Sequence, residues 1–119
     1  MTLRGVFSAE LQPFVELDLG ASPHHHETIR LIFDTGFNGE VALSTKTIER
    51  LGCRYITDKD VNTPKGCQRA RVFEVYCHNH GRFAQVIELD LELLGMSLCG
   101  GAAVEMEIAA GAVFTVASP

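Results

Sequence analysis

The sequence has no run of basic residues, no CxxC pair and no apolar stretch long enough to cross a bilayer. Lys and Arg number 10 against 15 Asp and Glu, for a formal charge of −5. A nucleic-acid surface needs clustered cations to displace counterions from phosphates, so this balance argues against nucleic acid and, equally, against acidic membranes. The longest suspect stretch, AAGAVFTVA at 109–117, falls well short of the roughly 20 residues of a spanning helix. The opening MTLRGVFSAELQPF shows no apolar run and no cleavage pattern, so no signal peptide is expected and the expected location is cytoplasmic. In that compartment the scattered Cys53, Cys67, Cys77 and Cys99 read as reduced, mostly buried thiols. There is no linker, low-complexity tract or heptad, and 119 residues make a single domain, 1–119, the expectation. Apolar content of 46% and charged content of 21% belong to an ordinary globular chain, which at this size buries about two thirds of its unfolded surface.

Short β-type runs fill most of what is present. VELDL at 15–19 alternates as a half-buried strand does. GASPHHHET at 20–28 reads as a polar loop broken by Gly20 and Pro23. IRLIF at 29–33 and EVAL at 40–43 read as strands, and 45–51 as the one helix, with Ser44 as N-cap and Gly52 as C-cap. TPKG at 63–66 and NHGR at 79–82 read as turns, 67–78 and 83–94 as β-rich runs, and 102–116 as a terminal hairpin around AAG. Many short strands with one helix predict a small, mostly β domain, barrel-like or sandwich-like.

The stretch LIFDTGFNGEVALS at 31–44 raises the chemical question. An apolar strand ends in a carboxylate, and the backbone breaks straight after it. Asp-Thr-Gly can be a plain turn, because Asp accepts backbone hydrogen bonds and Gly takes positive φ. Ordinary residue usage would place the tripeptide in about 2–3% of chains of this length, so its surroundings decide.

Those surroundings resemble the retropepsin-like aspartic proteases, in particular a small prokaryotic group whose motif reads DTGF. The resemblance rests on IFDTGFNG followed sixty residues later by LLGMSL, with a leading strand pair, a helix closing in Leu-Gly, a flap-like hairpin and a final hairpin in the same order. It implies a mostly β, retropepsin-like acid protease barrel with one short helix, acting as an aspartic-type endopeptidase on a peptide or protein substrate without a cofactor. Asp34 would be the catalytic acid/base, Thr35 a hydroxyl tying two loops together, and Gly36 the turn that aims an amide at the carboxylate. Leu93, Leu94 and Gly95 would buttress the loop from behind. Phe37, Asn38 and Gly39 would touch substrate, as would Lys65 and Gly66 at the tip of a flap over 63–71. One Asp-Thr-Gly per chain implies a homodimer whose two copies of Asp34 meet on a two-fold axis and share one proton. Val113, Phe114 and Val116 are the expected contribution of the chain end to that interface. Phe37 departs from the small residue usual after the motif, and its ring would narrow the groove or fill a subsite. The alternative is a dimeric binding or scaffold module that keeps the loop without turnover.

Other chemistry is weaker. His24, His25 and His26 are adjacent and cannot converge on one ion, while His78 and His80 would share a face if they lay on a strand. Their spacing matches no zinc pattern, so no metal is expected. Cys77 and His78 are sequence neighbours and would face opposite ways on a strand, which disfavours a Cys-His pair.

Overall fold

The computed structural model describes residues 2–63 and 66–117. They form ten strands and one helix in the order β1 (Thr2–Phe7), β2 (Pro13–Ser22), β3 (His25–Phe33), β4 (Val41–Leu43), α1 (Thr45–Leu51), β5 (Arg54–Thr63), β6 (Gly66–Cys77), β7 (Arg82–Glu88), β8 (Leu93–Leu94), β9 (Ala103–Glu105) and β10 (Val113–Ala117). The domain is mostly β, as the short apolar runs predict.

All strands join one sheet in the order β5-β6-β7-β4-β8-β3-β2-β1-β10-β9. The far half of β2 also pairs with β6, Leu19 opposite Cys77 and Gly20 opposite Tyr76. Hydrogen bonding therefore runs in a closed ring through β2, β3, β8, β4, β7 and β6. Inward-facing residues of these strands fill the ring: Val15, Leu17, Leu19, Leu31, Phe33, Val41, Leu43, Val75, Val86 and Leu94 are all buried. Alternation along β1 and β2 puts every second residue inside, which is how a half-solvated antiparallel strand distributes apolar side chains.

The helix has the predicted bounds and caps. The Ser44 hydroxyl accepts from the Thr47 amide at 3.4 Å. Gly52 takes φ 69°, ψ 37°, a left-handed end that L-residues with a Cβ rarely adopt. Seven residues cannot hold a helix in isolation; burial of Thr47, Ile48 and Leu51 supplies the rest.

Four expectations need correction. The histidine segment 20–28 is not a loop: β2 continues to Ser22 and β3 begins at His25, so the hairpin extends past the core with its polar residues in solvent. The run 83–94 divides, because β7 stops at Glu88 and only Leu93 and Leu94 return to the sheet as β8. Strand β5 has no counterpart among the predicted runs, since nearly every residue in it is exposed and no apolar alternation marks it. The last strand's inner face is spent within the subunit: Phe114 packs on Phe7 and Phe33 with ring centroids 5.3 and 6.0 Å apart, and Phe114 and Val116 are both buried. Only Val113 of the three expected interface residues is exposed.

Candidate active site

Asp34 follows the last residue of β3, at the point where the core ends, and is half-buried. Its position is fixed by β8, which lies between β3 and β4. Leu93 and Leu94 pair in parallel with Ile32 and Phe33 and antiparallel with Ala42 and Val41. Within this ladder the Ile32 amide donates to the Glu92 carbonyl at 2.9 Å and the Asp34 amide to the Leu94 carbonyl at 3.0 Å. The chain from Asp34 to β4 must therefore loop around the end of β8.

That loop is closed from inside. The Gly36 amide donates to Asp34 Oδ1 at 2.9 Å, and the Phe37 amide to the Asp34 carbonyl at 3.2 Å. The carboxylate is thus oriented, yet its second oxygen has no partner among the described residues. Thr35 is exposed, and its hydroxyl has no hydrogen-bond partner among them either.

Residues 95–97 hold the loop from the other side. The Gly95 amide donates to the Glu40 carbonyl at 2.9 Å, Met96 to Phe37 at 2.9 Å and Ser97 to Gly39 at 3.2 Å, while the Ser97 hydroxyl donates to the Asn38 carbonyl. The segments approach so closely that a Cβ on Gly95 would lie 2.0 Å from the Gly39 carbonyl oxygen and 2.6 Å from the Phe37 ring. A Cβ on Gly39 would meet the same ring at 2.5 Å. The Phe37 ring therefore lies against two glycines and pins the loop to β8's exit.

Beyond Phe37 lies a groove of about 280 Å³ between residues 37–39 and β5. Phe37, Val61, Ile87 and Leu89 give it an apolar lining, and Asn38, Lys59, Asp60 and Asn62 are its polar groups. The sequence reading missed Lys59, Asp60, Val61, Asn62, Ile87 and Leu89. The turn TPKG before a β-rich run was the signal available, because a hairpin needs a partner strand of matching length on the near side. Gly66 pairs with Thr63 across that hairpin, and Lys65, expected at its tip, lies outside the described residues, as does Pro64. A larger depression, about 700 Å³, lies along β9 and β10 beside Val104, Met106 and Val113. None of its lining residues belongs to the Asp-Thr-Gly loop.

Glu92 ties this region to the helix. Its Oε1 accepts from the Ser44 hydroxyl at 2.6 Å, the Thr47 hydroxyl at 2.8 Å and the Ser44 amide at 3.2 Å. Partial burial pushes its pKa up, but these hydrogen bonds outweigh that and hold it below the ordinary carboxylate value.

The alternative centres take a different shape from the expected one. His78 and His80 follow the end of β6 in a turn, so the shared strand face does not exist. His78 packs instead against His26 at a tilt of 52°, with centroids 4.7 Å apart, and its Nε2 lies 3.2 Å from the His25 carbonyl oxygen. Among the described residues no three His, Cys, Asp or Glu side chains come together as a metal site. Cys77 is buried and burial raises its thiol pKa, while Cys53 is pushed up to about 11 by the same cause; neither is a thiolate at neutral pH. Of the cysteines expected to be mostly buried, Cys77 and Cys99 are buried, Cys53 is half-buried and Cys67 is exposed.

In comparisons with known proteins, no family model and no curated protein matches the chain.

Proposed function

We propose that this chain is one subunit of a retropepsin-like, homodimeric aspartic peptidase, with the ring of strands serving as that family's barrel. The observation that carries the reading is the setting of Asp34: a strand-end carboxylate held by the Leu94 carbonyl through its amide and oriented by the Gly36 amide. A turn residue needs no two-residue strand threaded behind it.

One carboxylate is half of the chemistry. Peptide hydrolysis needs a base to take a proton from water and an acid to hydrogen-bond the carbonyl oxygen and protonate the leaving nitrogen. Two copies of Asp34 facing each other supply both, because close like charges retain one proton between them. The ionised copy takes a proton from water as the oxygen attacks the peptide carbon. The protonated copy donates to the carbonyl oxygen, giving a tetrahedral diol. The diol collapses as the C–N bond breaks: the protonated copy gives its proton to nitrogen while one diol hydroxyl gives its proton to the ionised copy, so the dyad keeps one proton. The exposed Thr35 hydroxyl, without a hydrogen-bond partner among the described residues, is suited to bond across such an axis. The exposed Val104 on β9 and Val113 on β10, with Met106 and Ile108 in the connection between them, offer an apolar surface for the second copy.

The test is cleavage of a diverse unstructured peptide library from about pH 3 to 8, a window that spans shared-proton carboxylates, with sedimentation on the same samples. The expected result is a dimer that cleaves, and an Asp34→Asn dimer that is folded and inactive. An intact wild-type dimer that cleaves nothing would sink the reading in favour of a binding or scaffold module.

A further inference from the structure

The groove beside Phe37 is lined by one cation, Lys59, and one anion, Asp60, and the anion is taken up by Arg69. On β5, alternation puts Lys59 and Val61 on one face and Asp58 and Asp60 on the other. The register sets Lys59 opposite Ala70, which is buried, so the Lys59 face turns toward the body of the domain. Asp60 and Asp58 are engaged by Arg69 at 3.3 and 3.9 Å. Lys59 is exposed and has no ion pair among the described residues, and it lines the groove together with the apolar Val61, Phe37, Ile87 and Leu89, with Asp60 and Asn62 also at its wall. Strand β5 is also at one end of the sheet, so its outer backbone groups are open to an extended chain.

We infer that this groove selects an extended peptide with a bulky apolar side chain and an acidic side chain two residues apart. Val61, Phe37, Ile87 and Leu89 take the apolar group and the Lys59 ammonium takes the carboxylate. The spacing follows from strand geometry. Same-face residues i and i+2 repeat at roughly 6.7 Å both in β5 and in an extended ligand, so Val61 and Lys59 meet ligand positions two apart. The volume of about 280 Å³ lies just below the roughly 300–1,000 Å³ of pockets that enclose whole small molecules, and suits a side chain of a longer ligand. That the ligand is a substrate rests on the peptidase reading above; that it binds does not.

The experiment uses the full-length Asp34→Asn protein, so that peptide is not consumed, and three fluorescein-labelled peptides read by anisotropy at low ionic strength. Their centres are Leu-Ala-Glu-Ala-Leu, Leu-Ala-Lys-Ala-Leu and Ser-Ala-Glu-Ala-Ser, symmetric so that chain direction does not matter. The acidic Leu peptide should bind about five-fold tighter than its Lys counterpart, the scale of a partly exposed ion pair. It should bind at least about ten-fold tighter than the Ser peptide, from burial of one Leu side chain. Added salt should erode the first difference, which needs no variant of Lys59. Lys59→Gln should abolish the acid preference and Lys59→Glu invert it. Equal binding of all three peptides, binding of none, or an acid preference that survives Lys59→Glu in folded protein overturns the inference. Cleavage by wild type separates the two readings: selective binding by a dimer that never cleaves removes the peptidase and leaves the groove. Cleavage without acid preference removes the groove's selectivity and leaves the peptidase.

Discussion

Replacing Glu92 probes how the loop is supported without touching Asp34. The Glu92 carboxylate accepts two hydroxyl hydrogen bonds at 2.6 and 2.8 Å and a longer amide bond at 3.2 Å. Hydrogen bonds to a charged group contribute about 1.5–3 kcal/mol each when dry, and solvent access at this half-buried site keeps the sum near the lower figure. Glu92→Ala should therefore cost about 2 kcal/mol at pH 7. Glu92→Gln keeps a carbonyl acceptor and loses the charge, so it should cost about 1 kcal/mol. The pH dependence separates charge from shape. The folded-state pKa lies below the ordinary value of 4.5, so the ionised form's contribution is fully present above that value and disappears as pH falls through the folded pKa. Urea denaturation of wild type and Glu92→Gln should show a gap at pH 7 that closes in acid, where protonated Glu resembles Gln. A gap of the same size at pH 7 and pH 3, or no gap at either, would show that the three hydrogen bonds do not select the charged carboxylate.

Gly95→Ala should fail to fold or lose more than about 2 kcal/mol, because backbone, not a flexible side chain, occupies the Cβ position at 2.0 Å; a wild-type melting temperature would refute the close crossing. Phe114→Ala should cost about 3–5 kcal/mol as a buried aromatic truncation. Val113→Ala, on the opposite face of β10, should leave subunit stability within about 0.5 kcal/mol and weaken self-association in sedimentation. Phe37→Ala should raise hydrogen exchange at residues 34–39 more than elsewhere, with Phe37→Leu partly restoring protection; uniform loss of protection would assign Phe37 to global packing alone. Iodoacetamide should label exposed Cys67 in native protein and spare buried Cys77 and Cys99, read by mass spectrometry, since the thiolate is the reactive form and burial raises both pKa values.

The helix was legible to the residue because its ends are chemical: a hydroxyl cap at Ser44 and a left-handed glycine at Gly52. The Asp-Thr-Gly loop and its LLG buttress were legible as motifs, and β8 joins them in space across sixty residues of chain. What escaped lies where burial stops enforcing a pattern. Strand β5 is almost wholly exposed and held by cross-strand pairs such as Asp60 with Arg69 and Arg54 with Glu74, so its residues read as ordinary polar sequence. The histidine hairpin extends past the core for the same reason. In VIELDLELL the apolar alternation runs on through residues 89–92 while the chain leaves the sheet, and Leu91 ends more than half exposed at 54%. Pattern alone cannot mark a break that tertiary contacts decide. The groove was missed because one of its walls is β5.

Three carboxylates around the loop share a direction. Glu40 is pushed up by partial burial but brought below the ordinary value by Arg82 and the Gln85 amide. Glu88 is lowered chiefly by Arg71, with Thr45 adding a hydrogen bond, and Glu92 is lowered by Ser44 and Thr47 against its burial. The Glu40 carbonyl receives the Gly95 amide, and the Glu92 carbonyl receives the Ile32 amide two residues before Asp34. Each depressed pKa contributes stability above the unfolded value and withdraws it as pH falls through the folded one. In acid, then, the scaffold loosens on both flanks of Asp34 at once. The loss of scaffold stability in acid should accordingly follow these carboxylates, and it should reverse on neutralisation, since it follows a titration and breaks no covalent bond.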